Sequence, residues 1–267
     1  MRLIESIITR SLHFSPKWFA RPFAKPYVAG ETVEDALYKV SDLNNSGFSA
    51  TLDILGEHVK DIEFARNITS QYCTLFEKID ENSLDCTLSV KPTHIGLNIS
   101  QEEAVTNMIH ITKKAVEFGN FLRIDMENSD YTSQTFEIFH ECKNLYDNVG
   151  IAIQAYLFRS QDDLKELSKK NFNARICKGI YKESSIKAYQ NREDIRTNFL
   201  LLAKSVARSG GFCGYATHDQ DLIDRLLDWI NTDNISTHLF EFQVLFGVPM
   251  GGRLDELINQ GYKVRVY

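Results

Sequence analysis

No apolar run in this sequence reaches the roughly 18 residues that a helix needs to span a bilayer, and the start carries no signal-peptide cleavage pattern. Cysteine is sparse and scattered. Cys73, Cys86, Cys142, Cys177 and Cys213 form no C-x-x-C pair, and an odd, unclustered set reads as free thiols of a reducing compartment. Lysine and arginine never gather into a block and the formal charge is −6, which argues against nucleic acid as a partner, because a phosphate-backbone binder needs a basic face. There is no H-x-H, no H-E-x-x-H and no G-x-S-x-G elbow, so neither a metal site nor a serine nucleophile is expected.

What is present is ordinary globular usage, 43% hydrophobic and 25% charged over 267 residues, enough for one large core. Near the start, Leu3, Ile4, Ile7, Ile8 and Leu12 share a helical stripe over residues 2–14, which suits either a membrane-surface helix or a plug for one end of a barrel. Pro16, Pro22 and Pro26 then make residues 15–30 a connector. Thr32 with Asp35 reads as a capping box opening a helix to about residue 43.

Beyond Gly47 the chain repeats one unit, a β-rich run, a turn and an amphipathic helix. The spacing predicts strands over 49–55, 86–90, 121–126, 150–157, 174–178, 211–216, 239–245 and 263–267, and helices over 60–78, 100–118, 132–145, 161–169, 193–208 and 219–229. Strict alternation with helix-length crossovers is what a parallel sheet requires. No G-x-G-x-x-G follows the first strand, so a (β/α)8 barrel of TIM type is favoured over a doubly wound α/β sheet. The division expected is an N-terminal helical extension over 1–44 and a barrel over 45–267.

Several strands finish on a polar group where a barrel enzyme keeps its chemistry: Lys91, Asp125, Gln154, Arg175, Lys178, Thr217, His218, Glu241 and Gln243. The central stretch is FLRIDME at 121–127, which delivers Asp125 at the end of a buried strand, where a carboxylate must find a cation or a substrate. Lys91, one strand away, is the expected partner. Arg175 and Lys178 lie three apart, so one is expected to enter the lumen and the other to turn towards phosphate at the strand end. A basic residue, Gly179, and Thr217 with His218 just ahead of a helix would suit a pyrophosphate. On physics alone, a structural ion pair and core hydrogen bonds from Glu241 and Gln243 are as open as a site role, and a Thr or His ahead of a helix, as at Thr217 and His218, is more often a plain cap.

The motifs VAGET (28–32), TLDILGE (51–57), SVKPTHIGL (89–97), RIDME (123–127), IQAYLFR (153–159), ICKGIY (176–181), ATHD (216–219) and FEFQVLFGV (240–248) together resemble the proline dehydrogenase family of flavoenzymes. The resemblance implies FAD held non-covalently across the carboxyl mouth of the barrel and oxidation of L-proline to 1-pyrroline-5-carboxylate. It implies that Lys91 and Asp125 form a lumen pair near the substrate and that Arg175 bonds the flavin near its reactive nitrogen. Met126, Gln154, Lys178, Gly179, Ile180, Thr217, His218 and Gln243 match cofactor contacts, and Leu245 matches an apolar wall against the proline ring. The family also implies a quinone or other electron acceptor, hence a cytoplasmic protein with peripheral contact at the inner face of the membrane.

Three departures stand out. Ile180 replaces a usual alanine, and Asp219 replaces a usual asparagine, where its charge is expected to repel cofactor phosphates mildly. The family's eighth strand is followed by a helix with Tyr-x-x-Arg-Arg, whose arginines fork the substrate carboxylate. Here the sequence given runs to Tyr267, so the barrel is expected without its final helix and with weakened substrate binding. Two other readings follow, a flavin-binding barrel with impaired turnover and a Schiff-base lyase using Lys91.

Overall fold

The structure, a computed structural model, describes residues 28–167 and 172–267. The predicted helix over 2–14 and most of the proline connector lie outside the described residues. Eight strands, β1 (Ser49–Leu52), β2 (Cys86–Val90), β3 (Leu122–Ile124), β4 (Val149–Gln154), β5 (Asn173–Cys177), β6 (Phe212–Ala216), β7 (Phe240–Val244) and β8 (Val264–Val266), run parallel and close in sequence order. Closure is made by Ser49 beside Arg265 and Ala50 beside Val266.

Helix α1 (Val33–Asn45) precedes the barrel, and α2 (Ile62–Glu81), α3 (Gln101–Glu117), α4 (Thr132–Leu145), α5 (Ser160–Leu167), α6 (Arg192–Arg208), α7 (Gln220–Thr232) and α8 (Arg253–Asn259) follow the first seven strands. The capping box at Thr32 and Asp35 forms in full. At α3 Ser100 accepts from the Glu103 amide, while the Glu103 carboxylate turns to Arg66 of α2 at 2.6 Å. Sequence periodicity gave no hint of α8, which is too short for an apolar stripe and starts after Gly251 and Gly252, both at positive φ.

Strands β1, β3 and β4 stop two or three residues short of their predicted carboxyl ends. There the barrel rim begins, so Asp53, Asp125 and Met126 leave the ladder and become the edge of the mouth. The hydrophobic core lies between sheet and helices. Ile124, Ile151, Ile153, Ile176, Tyr215 and Phe242 are all buried there against the helices.

The lumen is different. Barrel interiors are usually filled by branched apolar side chains, whereas here Arg123, Arg175, Glu241, Gln243 and Arg265 fill it, with small neighbours making the room. In register, Gly150 sits beside Arg123, and Ala152 and Gly214 flank Arg175. A Cβ on Gly150 would lie 2.5 Å from Arg123 Nη1 and 2.7 Å from the Asn173 carbonyl oxygen. Gly150→Ala is therefore expected to cost about 1–3 kcal/mol by overpacking. Chemical denaturation checks this, and an unchanged midpoint would contradict it.

Candidate active site

The carboxyl end of the barrel collects the polar strand ends. Arg175, 5% exposed, donates from Nη1 to Asp125 Oδ1 at 2.8 Å and to Ser89 Oγ at 3.1 Å, and from Nε to Gln243 Oε1 at 2.6 Å. The Tyr267 ring, beyond the end of β8, lies 4.7 Å from the guanidinium carbon. Arg175 thus ties β2, β3, β5, β7 and the end of β8 together.

The expected pairing of Lys91 with Asp125 is corrected by the structure. Lys91 Nζ is ion-paired with Asp53 instead, and Asp125 is taken by Arg175 from across the lumen. Strand β2 has two neighbours, and the carboxylate just past β1 comes closer than the one past β3. Asp53 is itself held by the Tyr72 hydroxyl at 2.8 Å. Burial alone would lower the lysine's pKa, but the carboxylates of Asp53 and Asp125 outweigh it and raise the value. That is the reverse of what an amine nucleophile needs, so the arrangement gives the Schiff-base reading no support.

On the far side of the mouth, Lys178 turns outward as its spacing from Arg175 requires, and meets Asp219 at 2.9 Å. Arg196 and Arg192 of α6 reach the same carboxylate at 2.7 and 3.2 Å. Asp219 is thus not a bare repulsive charge but the carboxylate on which three cations converge at the start of α7, one of them, Arg196, shared with Asp221 and Glu193. Burial opposes its ionisation, yet the bonds from Arg196 and Lys178 prevail and hold the carboxyl well below the usual range. Thr217 Oγ1 accepts from the Asp219 amide at 3.2 Å, and His218 Nε2 accepts from the Leu245 amide at 2.8 Å. Burial and then Lys178 lower the imidazole's pKa, in keeping with that acceptor role.

The remaining sequence candidates divide. Gln154 is buried with Oε1 unpartnered, and Met126 is buried beside Asp125. Gly179 has φ +107°, and a Cβ there would stand 2.4 Å from the Tyr156 ring. Ile180 is 89% exposed and Leu245 36% exposed, both presented to solvent. Gln243 is 1% exposed, with its amide committed to Arg175 and Glu241, so it positions Arg175 from below. The fold also brings ligand atoms of Glu57, His58 and Glu127 within 4.8 Å of one another. Both Glu127 oxygens accept from Thr93 and Glu57 accepts from Tyr181, so hydrogen bonds account for that cluster.

The family described as proline dehydrogenase matches residues 36–267. The chain belongs to the proline dehydrogenase family. Proline dehydrogenase 1 of Bacillus subtilis subsp. natto is 36% identical over 254 residues, covering 95% of this chain and 84% of that protein. The proline dehydrogenase of Deinococcus radiodurans is 31% identical over 249 residues, covering 91% and 80%. Among solved structures, proline utilization A from Bdellovibrio bacteriovorus, inactivated by N-propargylglycine, superposes with a TM-score of 0.84 at 23% identity over 91% of this chain. This chain spans only 30% of that larger protein, and the likeness shows the shared barrel. The chain is accordingly an oxidoreductase of the proline dehydrogenase type. No described helix is long and apolar enough to cross a membrane.

The sequence alone gave no sign that Asp53, Arg192, Arg196 and Tyr267 join this site. Asp53 lay in the quoted TLDILGE motif; the two arginines sit in a helix whose approach to Asp219 only the fold reveals. The Asp219 cluster has a pH signature. Because its folded pKa is depressed, its stabilisation is complete above the unfolded value of about 4 and is lost as pH falls through the folded value. Asp219→Asn is expected to lower stability at pH 7 by about 2 kcal/mol, a gap that narrows below about pH 4. Denaturant titrations at both pH values check this; a gap independent of pH would contradict it.

Proposed function

We propose that this chain oxidises L-proline to 1-pyrroline-5-carboxylate with FAD bound non-covalently across the carboxyl mouth. The observation that carries the reading is Arg175, a buried guanidinium held at the mouth by Asp125, Ser89 and Gln243, in a member of the proline dehydrogenase family. The residues present suit such a cofactor. Gln154 Oε1 is a buried acceptor without a partner among the described residues, Gly179 lets the backbone pass against the Tyr156 ring, and Lys178, Arg192 and Arg196 gather ahead of α7 around Asp219, with Asp221 and Glu193 sharing Arg196. Lys178, Gly179, Thr217 and His218 would hold the phosphates, with Ile180 at the edge, and Met126, Gln154 and Arg175 would face the ring system.

When bound, the flavin supplies a two-electron acceptor for a hydride from the proline carbon beside nitrogen. Arg175 contributes a fixed cation that stabilises negative charge arriving next to it, with no reorganisation because its three partners already orient it. Asp125, anchored by Ser89 and Arg175, favours positive charge developing on the substrate nitrogen. Lys91 keeps its ammonium charged through Asp53 and offers it to the substrate, while Leu245 provides an apolar wall for the ring. Beyond these two electrostatic contributions, the protein orients ring against ring. A quinone or another acceptor would take the electrons onward.

The purified protein is expected to absorb in the visible as a flavoprotein and to bleach on anaerobic addition of L-proline. A colourless protein that FAD cannot reconstitute would overturn the reading. Flavin absorption that proline leaves unchanged would favour a barrel impaired in turnover.

A further inference from the structure

Among the described residues Arg123, Arg175 and Arg265 lie within the barrel lumen and Lys91 at its mouth, and three of these four have a carboxylate partner. Lys91 pairs with Asp53, Arg175 with Asp125 at 2.8 Å, and Arg265 with Glu241 at 2.7 Å. Arg123 pairs with none of the described carboxylates. Its Nη atoms donate to the carbonyls of Ile151 and Asn173 at 3.1 and 3.0 Å and to Asn173 Oδ1 at 2.6 Å, all neutral, and its Nε is buried without a partner. The residue is 2% exposed.

A buried cation with no counter-charge is costly, and proteins normally pair it. Burial, and then Arg175, press the pKa of Arg123 down to about 9, which still leaves it a cation at neutral pH. No step of the proposed proline chemistry uses it. It points away from the mouth, towards a cavity of about 130 Å³ that it lines with Arg175, Arg265, Glu241 and Lys263. Glu241 is already neutralised by Arg265, so the walls carry a net positive charge. Lys263 is exposed at the amino-terminal edge of β8; its carbonyl accepts from the Phe242 amide at 2.9 Å, and its ammonium has no ion pair among the described residues. Gly150 leaves the room that the Arg123 guanidinium occupies beside this space, where any Cβ would meet Arg123 Nη1 at 2.5 Å.

We propose that the amino-terminal end of the barrel lumen is a binding site for a small inorganic anion of the phosphate or chloride class, held by Arg123 with Lys263 at its edge. The charge balance asks for one or two negative charges. The cavity has room for an ion with several waters, since one water needs only about 10–15 Å³ of such space. The guanidinium and the ammonium supply the charge-assisted contacts that anions select. The site lies behind the carboxyl mouth and does not depend on the proline reading.

The test is calorimetric titration of the full chain, as purified, with inorganic phosphate and separately with sodium chloride in a zwitterionic buffer of low ionic strength. Saturable one-to-one binding of either anion is expected; saturation by phosphate alone identifies an oxyanion and by chloride alone a halide. Lys263→Glu, at an exposed position remote from the mouth, is expected to weaken that binding about fivefold or more, and Arg123→Gln to abolish it. Should Arg123→Gln fail to fold, Lys263→Glu decides. No saturable binding of either anion overturns the proposal. So does phosphate binding that Lys263→Glu leaves unaltered, because the anion would then sit with Lys178 and Arg196 at the opposite end.

Discussion

Everything at the mouth depends on one buried guanidinium. Arg175 reaches Asp125, Ser89 and Gln243 at once and lies under the Tyr267 ring, so a single side chain of β5 holds groups from four other strands or their ends. Such a residue survives burial because it is paired and hydrogen-bonded; remove the carboxylate partner and a charge is stranded in a low-dielectric lumen. The same condition makes it useful for chemistry, since a cation with its orientation settled in advance stabilises new negative charge without waiting for solvent or side chains to turn.

A polar lumen imposes a constraint on the sequence around it. Arginines pack in a barrel only where the neighbouring strand offers little volume, and Gly150, Ala152 and Gly214 supply that gap. The hydrophobic stabilisation therefore sits outside the sheet, in the shell where Ile151, Ile176 and Phe242 meet the helices, and the interior is free to carry charge. The sheet separates the two tasks: one face holds the fold together, the other presents an ordered row of ions from Arg123 at one end to Lys91 at the other.

Much of this was legible in the sequence. The alternation of apolar strands and amphipathic helices named the barrel because strict β/α repetition with long crossovers has few other solutions. Polar strand ends named most of the mouth, and Lys178 does turn away from the lumen that Arg175 enters. Partnerships were not legible. Lys91 was matched with Asp125 because adjacent strands invite it, but the small Gly150 and Ala152 of β4 let Arg175 reach past that strand from β5, and it claims that carboxylate across 50 positions of sequence. Asp219 misled in the same way: as an isolated letter it reads as repulsive, whereas folding brings Arg192 and Arg196 to it from another helix. Helix α8 was missed because seven residues hold too little periodicity to detect. Functional identity came from the ordered set of short motifs and from the matching family, not from any residue alone.

The most direct test of the account is the midpoint potential of the bound flavin in wild type and in Arg175→Gln. If Arg175 stabilises charge on the reduced cofactor as a charge-assisted hydrogen bond does, its loss should lower the potential by about 30–60 mV. An unchanged potential in a folded, flavin-loaded variant would contradict the role given to the residue on which the rest of the site is arranged.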